Sequence, residues 1–141
     1  TFNWGVLVAA AATQGEITQA DALLYGALIF WTLGYDTIYA IQDREDDALI
    51  GVKSTALRFG QHIKQATSVI YVLCIALAAL AGYVAAGWYG AAAVTPFALH
   101  LIQQAIRLDP ANGARALQLF RANREAGLLL FACWAFIAVA I

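Results

Sequence analysis

Charged residues are scarce in this sequence of 141 residues, because Asp, Glu, Lys and Arg together make up only 12% of it. Hydrophobic residues make up 62%, whereas an ordinary soluble domain has roughly 45–50% apolar and about 25% charged residues. A chain with so little polar surface does not cover its own exterior in water, but lipid requires no such cover. The composition excludes an ordinary soluble globule and predicts a chain that lies in a bilayer.

Three other scarcities exclude further classes of protein. A formal net charge of -1 leaves no basic surface for nucleic acid, so we expect no nucleic-acid partner. The two cysteines, Cys74 and Cys133, lie in apolar runs without a C-x-x-C pair, which argues against a disulfide or a zinc site. Methionine is absent, and the opening run from Thr1 to Gly15 has no charge, unlike the basic start of a signal peptide. We therefore expect the sequence to be a piece of a longer protein.

Long apolar runs divide the sequence into candidate membrane spans. A helix over 21–41 would be about 31 Å long, which matches the roughly 30 Å hydrocarbon core of a bilayer. The stretch between Lys64 and Arg107 has no charged residue and is too long for one crossing, but Gly87-Trp88-Tyr89-Gly90 divides it and offers aromatic residues suited to a membrane interface. We predict a helix remnant at about 1–12 and spans at about 21–41, 66–86, 91–106 and 125–141.

The basic residues predict the orientation of these spans. All eight Lys and Arg residues fall in the two connecting segments 42–65 and 107–124, and the other two connections have none. Because positively charged loops stay on the inner side of a membrane, both segments are predicted to be cytoplasmic, or to face the matrix of a mitochondrion. The sequence therefore predicts an integral protein of a bacterial or mitochondrial inner membrane.

The segment after the first predicted span is rich in aspartate. At about 100° per residue, a helix continued through it would place Asp36, Asp43 and Asp47 on one stripe about 40° wide. Asp36 lies inside the apolar run, where an uncompensated acid costs up to ~3 kcal/mol. Like charges repel unless a cation lies among them, and carboxylate oxygens suit Mg²⁺, which also binds phosphate oxygens of a substrate. The stripe predicts a metal-bridged diphosphate on a lipid; the alternative is an acidic helix end that only caps a span.

Basic residues follow the acidic stripe. Lys53 and Arg58 could face the same anionic group as the metal, or they could be ordinary charges of an inner loop. For Lys53 the residues alone leave both interpretations open, whereas for Arg58 they favour an ordinary loop charge.

These segments together resemble a known family. The sequence from Asp36 to Asp47, followed by Ile50–Ala56 and Phe59-Gly60, is similar to the second aspartate-rich motif of the UbiA-type intramembrane prenyltransferases. Weaker similarity at Gln103-Gln104 and at Phe120–Leu128 extends the resemblance over nearly the whole chain. The resemblance implies an all-α, polytopic transmembrane helical bundle with a central cavity, of which this chain would be the C-terminal portion of nine helices.

The resemblance also implies roles for particular residues. Asp43 and Asp47 match metal ligands of the second motif, and Asp36 matches its upstream acid, so all three are implied to act in catalysis with Mg²⁺. Lys53 is implied to neutralise the departing diphosphate. Two further residues, Tyr39 and Asn123, are candidate substrate contacts, although either could be structural. The first aspartate-rich motif is absent from these residues, so the remainder of the same polypeptide is expected to supply it, and the piece alone is expected to be inactive.

The implied activity is Mg²⁺-dependent transfer of a polyprenyl group from polyprenyl diphosphate to the small aromatic acid 4-hydroxybenzoate, in ubiquinone biosynthesis. Haem, menaquinone and chlorophyll prenylation remain alternatives within the family. A non-enzymatic membrane helical bundle, with Asp36 on an ion path, is an alternative outside it. A CDP-alcohol phosphotransferase is disfavoured because its D-G-x-x-A-R signature is missing.

Overall fold

The computed structural model describes residues 3–43, 49, 51 and 58–140. The described residues form α-helices and one short 3-10 helix, and no strand occurs among them. In chain order the elements are α1 (Trp4–Gln14), α2 (Gln19–Tyr39), the 3-10 helix (Gly60–His62), α3 (Ile63–Ala93), α4 (Thr95–Arg107), α5 (Gly113–Arg121) and α6 (Asn123–Ala140).

Helix α2 begins with a capping box. The backbone N–H of Asp21 donates to Oγ1 of Thr18 at 3.2 Å, and the backbone N–H of Thr18 donates to Oδ2 of Asp21 at 2.9 Å. Each side chain therefore satisfies a backbone donor that the first turn of a helix leaves without a partner. This pair of contacts sets the start of α2, and an acid in the first turn also suits the positive end of the helix dipole.

Helix α3 is interrupted near its end. Ala86 (φ −145°, ψ 26°) and Gly87 (φ 60°, ψ −146°) leave helical geometry, and the positive φ favours glycine at the second position. A Cβ added to Gly82 or to Gly90 would collide with the backbone of the other residue, so the chain folds back closely after the interruption. The interruption lies where the sequence predicts a division between two spans.

The described helices overlap the ranges predicted as spans. Helices α2, α3, α4 and α6 overlap 21–41, 66–86, 91–106 and 125–141, and α1 overlaps the remnant at 1–12. By length and apolar composition, two stretches of the described residues are able to cross a membrane, Gly60–Ala93 and Gly113–Val139. The 13 residues of α4 extend about 20 Å, which is less than the roughly 30 Å hydrocarbon core. The four separate crossings stay a prediction.

The core of the bundle lies around α3. Its most extensive contact is with α2, and it also packs against α4 and α6. A Cβ at Gly34 of α2 would collide with the ring of Tyr71 of α3, so the missing side chain lets this ring lie against the α2 backbone. Tyr71 is only 1% exposed, and Phe97 and Leu101 of α4 are completely buried.

The outward face of α6 is apolar. Leu128, Phe131 and Phe136 are 64%, 74% and 63% exposed. A contiguous apolar surface of this kind marks contact with lipid or with further protein, because water does not favour it. The face is therefore consistent with a helix that packs inside a membrane.

Most charged residues of the described part of the chain lie at one end of the bundle, which we call the charged end, whereas Glu16 and Asp21 lie at the other. There α3 begins and α4 ends, since Nζ of Lys64 donates to the carbonyl of Ile106 at 3.0 Å. There too α5 and α6 meet, since Nε2 of His100 donates to the carbonyl of Ala122 at 3.1 Å. Helix α2 ends at the same place, with the ring of Tyr39 4.8 Å from that of Phe120. All basic residues in the described part of the chain belong to this end: Arg58, Lys64, Arg107, Arg115, Arg121 and Arg124. The opposite end contains the interruption of α3.

Candidate functional site

Two of the predicted aspartates lie at the charged end. Asp36 is in the last turn of α2 and is exposed, and Asp43 lies in the turn after α2 and is half-buried. Asp47 and Lys53 lie outside the described residues, so their predicted roles as metal ligand and diphosphate contact stay predictions. The structure therefore describes the first part of the acidic segment and its attachment to the bundle.

The predicted stripe of three acids needs a correction, because α2 does not continue as a regular α-helix beyond Tyr39. The N–H of Ile41 donates to the carbonyl of Ile38 at 3.2 Å, and that of Gln42 donates to Tyr39 at 2.9 Å. These are i to i−3 bonds, which wind the chain by about 120° per residue instead of about 100°. Over residues 39–43 the difference turns Asp43 by roughly 60–80° away from the α-helical position that the 40° stripe assumed.

The two described acids at the end of α2 offer the carboxylate oxygens that a magnesium ion prefers. The described residues contain no group of three or more His, Cys, Asp or Glu side chains able to hold a metal ion. Mg²⁺ rarely binds in such an all-protein cage and instead uses one or two carboxylates together with water and phosphate oxygens. Asp36 and Asp43 are acidic, reachable from solvent and close in sequence, so they match this requirement for a shared protein and substrate site.

Aromatic side chains form a wall beside the acids. Trp31, Tyr35 and Tyr39 are four residues apart, so they lie along one side of α2. Phe120 of α5 lies against two of them, with ring centroids 6.0 Å from Tyr35 and 4.8 Å from Tyr39. Tyr39 is 39% exposed, which leaves room for another contact; its predicted contact with substrate stays a prediction.

Asn123 lies at the junction of α5 and α6 and is only 8% exposed. Its Oδ1 accepts a hydrogen bond from Nε1 of Trp31 at 2.9 Å. Its Nδ2 donates to the carbonyl oxygens of Leu119 at 3.1 Å and Phe120 at 3.2 Å. The side chain therefore caps the last turn of α5 and links this turn to α2 through the hydrogen bond with Trp31.

Asn123 also belongs to a larger buried network. Its amide and that of Gln104 exchange hydrogen bonds at 3.3 and 3.4 Å, and Oη of Tyr71 donates to Oε1 of Gln104 at 2.9 Å. We call Trp31, Tyr71, Gln104 and Asn123 the amide network, since one side chain from each of α2, α3, α4 and α6 takes part. These bonds give Asn123 a structural role, and its direct contact with substrate stays a prediction.

A cavity of about 360 Å³ opens beside the amide network. It is lined by Trp31, Tyr35, Phe120, Arg121, Asn123 and Arg124. The two arginines and Tyr35 were not predicted as site residues, because their contacts join segments far apart in the chain. The four-residue spacing of Trp31, Tyr35 and Tyr39 was the available signal for a shared aromatic face.

Comparison with models of protein families shows to which family the chain belongs. A model of the UbiA prenyltransferase family matches residues 1–137. The chain belongs to the UbiA prenyltransferase family. Together with the helices described above, membership confirms the predicted fold class, an all-α transmembrane helical bundle. Membership also confirms the resemblance that the aspartate-rich segment indicated.

Curated relatives of this UbiA-family chain share one substrate in their names. The mitochondrial 4-hydroxybenzoate polyprenyltransferase of Drosophila melanogaster is 42% identical over 139 residues, which cover 92% of this chain and 34% of the relative. The human protein of the same name is 41% identical over 141 residues, 93% of this chain and 36% of the relative. A 4-hydroxybenzoate solanesyltransferase of Synechocystis is 48% identical over 77 residues, 53% of this chain and 26% of the relative.

The UbiA-family chain thus spans about a third of the length of the curated relatives it matches. No solved structure matches it. The structural evidence for a function therefore comes from the charged end of the described bundle. The acids, the aromatic wall and the cavity all lie there.

Proposed function

We propose that the protein transfers a polyprenyl group from polyprenyl diphosphate to 4-hydroxybenzoate, with Mg²⁺, as a step of ubiquinone biosynthesis. The observation that carries the proposal is similarity to 4-hydroxybenzoate prenyltransferases over most of the chain, including 42% identity over 139 residues. The acids at the end of α2 support it, because carboxylates with open access suit a magnesium diphosphate. The remainder of the polypeptide would contribute the first aspartate-rich motif.

Asp36, Asp43 and Asp47 would hold the metal and orient the diphosphate, with Asp43 and Asp47 as ligands. When bound, Mg²⁺ supplies charge stabilisation for the departing diphosphate. Lys53 would add a positive charge at the same leaving group, in the way that fixed cations stabilise charge that develops in a transition state. These residues therefore bind and position the donor so that its allylic carbon–oxygen bond can break.

The bond that breaks leaves its electron pair on the diphosphate and leaves an allylic cation on the prenyl chain. The phenol ring of 4-hydroxybenzoate attacks this cation ortho to the hydroxyl group, which forms a carbon–carbon bond. Loss of the ring proton from that position restores aromaticity. Trp31, Tyr35 and Tyr39 would protect the cation from water, since their faces are apolar and attract positive charge.

The site would face the cytoplasm or the mitochondrial matrix, at a bacterial or mitochondrial inner membrane. The basic residues of the described part support this orientation, because they all belong to the charged end and inner loops carry an excess of Lys and Arg. The bilayer would hold the polyprenyl chain of the donor beside the apolar outer faces of the helices.

Other members of the family prenylate other acceptors, and the names of the relatives favour one of them. Relatives from an insect, a mammal and a cyanobacterium are all named for 4-hydroxybenzoate. This shared name favours 4-hydroxybenzoate over haem, menaquinone or chlorophyll precursors. The same similarity disfavours a non-enzymatic bundle, for which Asp36 alone was the argument.

We predict that Asp43→Asn or Asp47→Asn in the full-length protein lowers prenyl transfer by about two orders of magnitude or more, because each change removes a charged metal ligand. The measurement is incorporation of labelled 4-hydroxybenzoate into prenylated product in proteoliposomes over a series of Mg²⁺ concentrations. Raised Mg²⁺ should restore part of the activity if binding of the metal is what was lost.

Asp109→Asn is the matched control. Asp109 lies between α4 and α5 and accepts a hydrogen bond from the N–H of Ala111 at 2.9 Å, but it is not part of the acidic segment. Its substitution should leave transfer within about twofold, since the asparagine amide oxygen can accept the same bond. Wild-type rates in the Asp43 and Asp47 variants would contradict the proposed roles of both aspartates.

A further inference from the structure

The cavity beside the amide network combines aromatic sides with a basic rim, and the proposed reaction gives the basic rim no role. Its sides are aromatic, with Trp31 and Tyr35 from α2 and Phe120 from α5, and its rim has Arg121 and Arg124. A flat aromatic ring packs well against aromatic side chains. A guanidinium group matches the planar fork of a carboxylate. An aromatic acid combines both complementary groups in one small molecule.

The aromatic wall is held in place before any ligand binds. The indole of Trp31 donates to Oδ1 of Asn123 at 2.9 Å. A Cβ added to Gly127 would lie 3.2 Å from Cη2 of Trp31, so the ring lies closely over this glycine of α6. The ring of Phe97 meets Trp31 edge to face, with centroids 5.7 Å apart. Since ligand sites are usually preformed, a ring fixed on three sides is suited to be one wall of a site.

The cavity lies at the same end of α2 as the acids that would hold the donor. Asp36 follows Tyr35 directly in α2, which places it about 100° around the helix axis from Tyr35 and about 60° from Tyr39. Tyr35 lines the cavity, and Tyr39 packs against Phe120, another lining residue. A ring bound there would lie next to the end of α2 where the prenyl diphosphate ionises. Proximity of this kind is needed because the reacting carbon atoms must approach within about 3–3.5 Å.

We propose that this cavity binds the aromatic acid acceptor, with the ring against Trp31, Tyr35 and Phe120 and the carboxylate against Arg121 and Arg124. The assignment rests on the proposed function, since it deepens the same site by naming residues for its second substrate. The diphosphate of the donor is the other anion near this end. The aromatic walls favour the acceptor, because a diphosphate offers no flat apolar face to pack on them.

The test compares a charged acceptor with a neutral one in the full-length protein. Steady-state transfer is measured with 4-hydroxybenzoate and with 4-hydroxybenzamide, for the wild type and for Arg121→Gln, Arg124→Gln and the double variant. Arg115→Gln is the matched control, because Arg115 belongs to α5 as Arg121 does but does not line the cavity. Proper folding is checked by thermal unfolding of each purified variant.

We expect the KM for 4-hydroxybenzoate to rise about 10- to 100-fold in the cavity variants, as loss of a charge-assisted hydrogen bond does. The KM for 4-hydroxybenzamide and the KM for polyprenyl diphosphate should change less than about twofold, because neither interaction involves the carboxylate. Arg115→Gln should match the wild type. A second variant, Trp31→Leu, should raise the KM for both acceptors alike, since it removes the wall and not the charge.

Three results would overturn the proposal. A rise in the KM for polyprenyl diphosphate alone would assign the arginines to the donor. An equal rise for the acid and the amide in the arginine variants would show that the carboxylate is not recognised there. Unchanged values in both arginine variants and the double variant would show that the cavity does not bind the acid. Failure of the wild-type protein to prenylate 4-hydroxybenzoate at all would instead contradict the proposed function itself.

Discussion

At the charged end of the bundle, side chains from four helices meet in a hydrogen-bonded network, whereas at the opposite end two glycine backbones touch directly. The amide network joins Trp31, Tyr71, Gln104 and Asn123 through bonds between specific atoms. Gly82 and Gly90 approach so closely that neither position has space for a Cβ. Both devices are typical of helices in lipid, where burial of apolar surface no longer drives association.

The glycine contact and the amide network differ in how they respond to a substitution. A direct backbone contact between two glycines is lost when either of them gains a side chain, because the side chain separates the two segments. A network of amide and hydroxyl groups loses its bonds one at a time, and the groups that remain can find other partners. The opposite end is therefore suited to a fixed reversal of the chain, and the charged end to holding side chains in a chosen orientation beside a cavity.

The largest expected effect comes from the glycine contact. We predict that Gly82→Ala destabilises the full-length protein by about 3 kcal/mol or more, because the new Cβ collides with the backbone of Gly90 and a backbone cannot move aside as a side chain can. The measurement is the midpoint of thermal unfolding in detergent.

Gly5→Ala is the matched control for this substitution. A Cβ at Gly5, in α1, meets no atom of the described residues within 4 Å. The same change there should stabilise the protein by about 0.5–1 kcal/mol, because alanine favours a helix. Equal effects at Gly82 and Gly5 would contradict a close backbone contact at the opposite end.

An intermediate effect is expected in the amide network. We predict that Asn123→Leu destabilises the protein by about 1–2 kcal/mol, because Nε1 of Trp31 and Nε2 of Gln104 both lose the acceptor Oδ1. The double variant Asn123→Leu with Gln104→Leu should lose less than the sum of the two single variants, since the two residues share bonds. Strict additivity in unfolding measurements would show that the network does not act as a unit.

The smallest expected effect distinguishes two tryptophans. Nε1 of Trp134, toward the opposite end, is buried without a hydrogen-bond partner among the described residues, while Nε1 of Trp31 is bonded to Asn123. We predict that Trp31→Phe costs about 1 kcal/mol more than Trp134→Phe, because only the first change breaks a bond. Unfolding midpoints of the two variants give the comparison, and a larger loss at Trp134 would reverse it.

The positions of the apolar helices were predictable because lipid imposes a simple pattern on a sequence, whereas α5 lies in a segment that was predicted only as a charged connection. Charged residues separate the apolar runs, and glycine with aromatic residues divides the longest one, so the interruption at Gly87 lies where it was expected. The family resemblance of the aspartate-rich segment was predictable too, since its residues are close together in the sequence. Both signals depend on neighbours along the chain.

The remaining features of the fold and the site depend on contacts between residues that are far apart in the sequence. Trp31 and Asn123 are bonded across 92 positions, so nothing near either residue predicts the pair. The end of α2 at Tyr39 was also missed, because the spacing of Asp36 and Asp43 suits a continuous helix although the backbone turns tighter there. The cavity beside Arg121 was not predicted either, because its walls come from helices that are far apart in the chain.

Binding of a prenyl diphosphate through a metal at the end of α2 is the central claim of the proposed function. The direct test is equilibrium binding of a non-reactive polyprenyl thiolodiphosphate to the full-length protein, with Mg²⁺ and with EDTA. We predict saturable binding that requires Mg²⁺ and that weakens at least tenfold in Asp43→Asn. Binding of equal strength without Mg²⁺, or unchanged in this variant, would contradict the account.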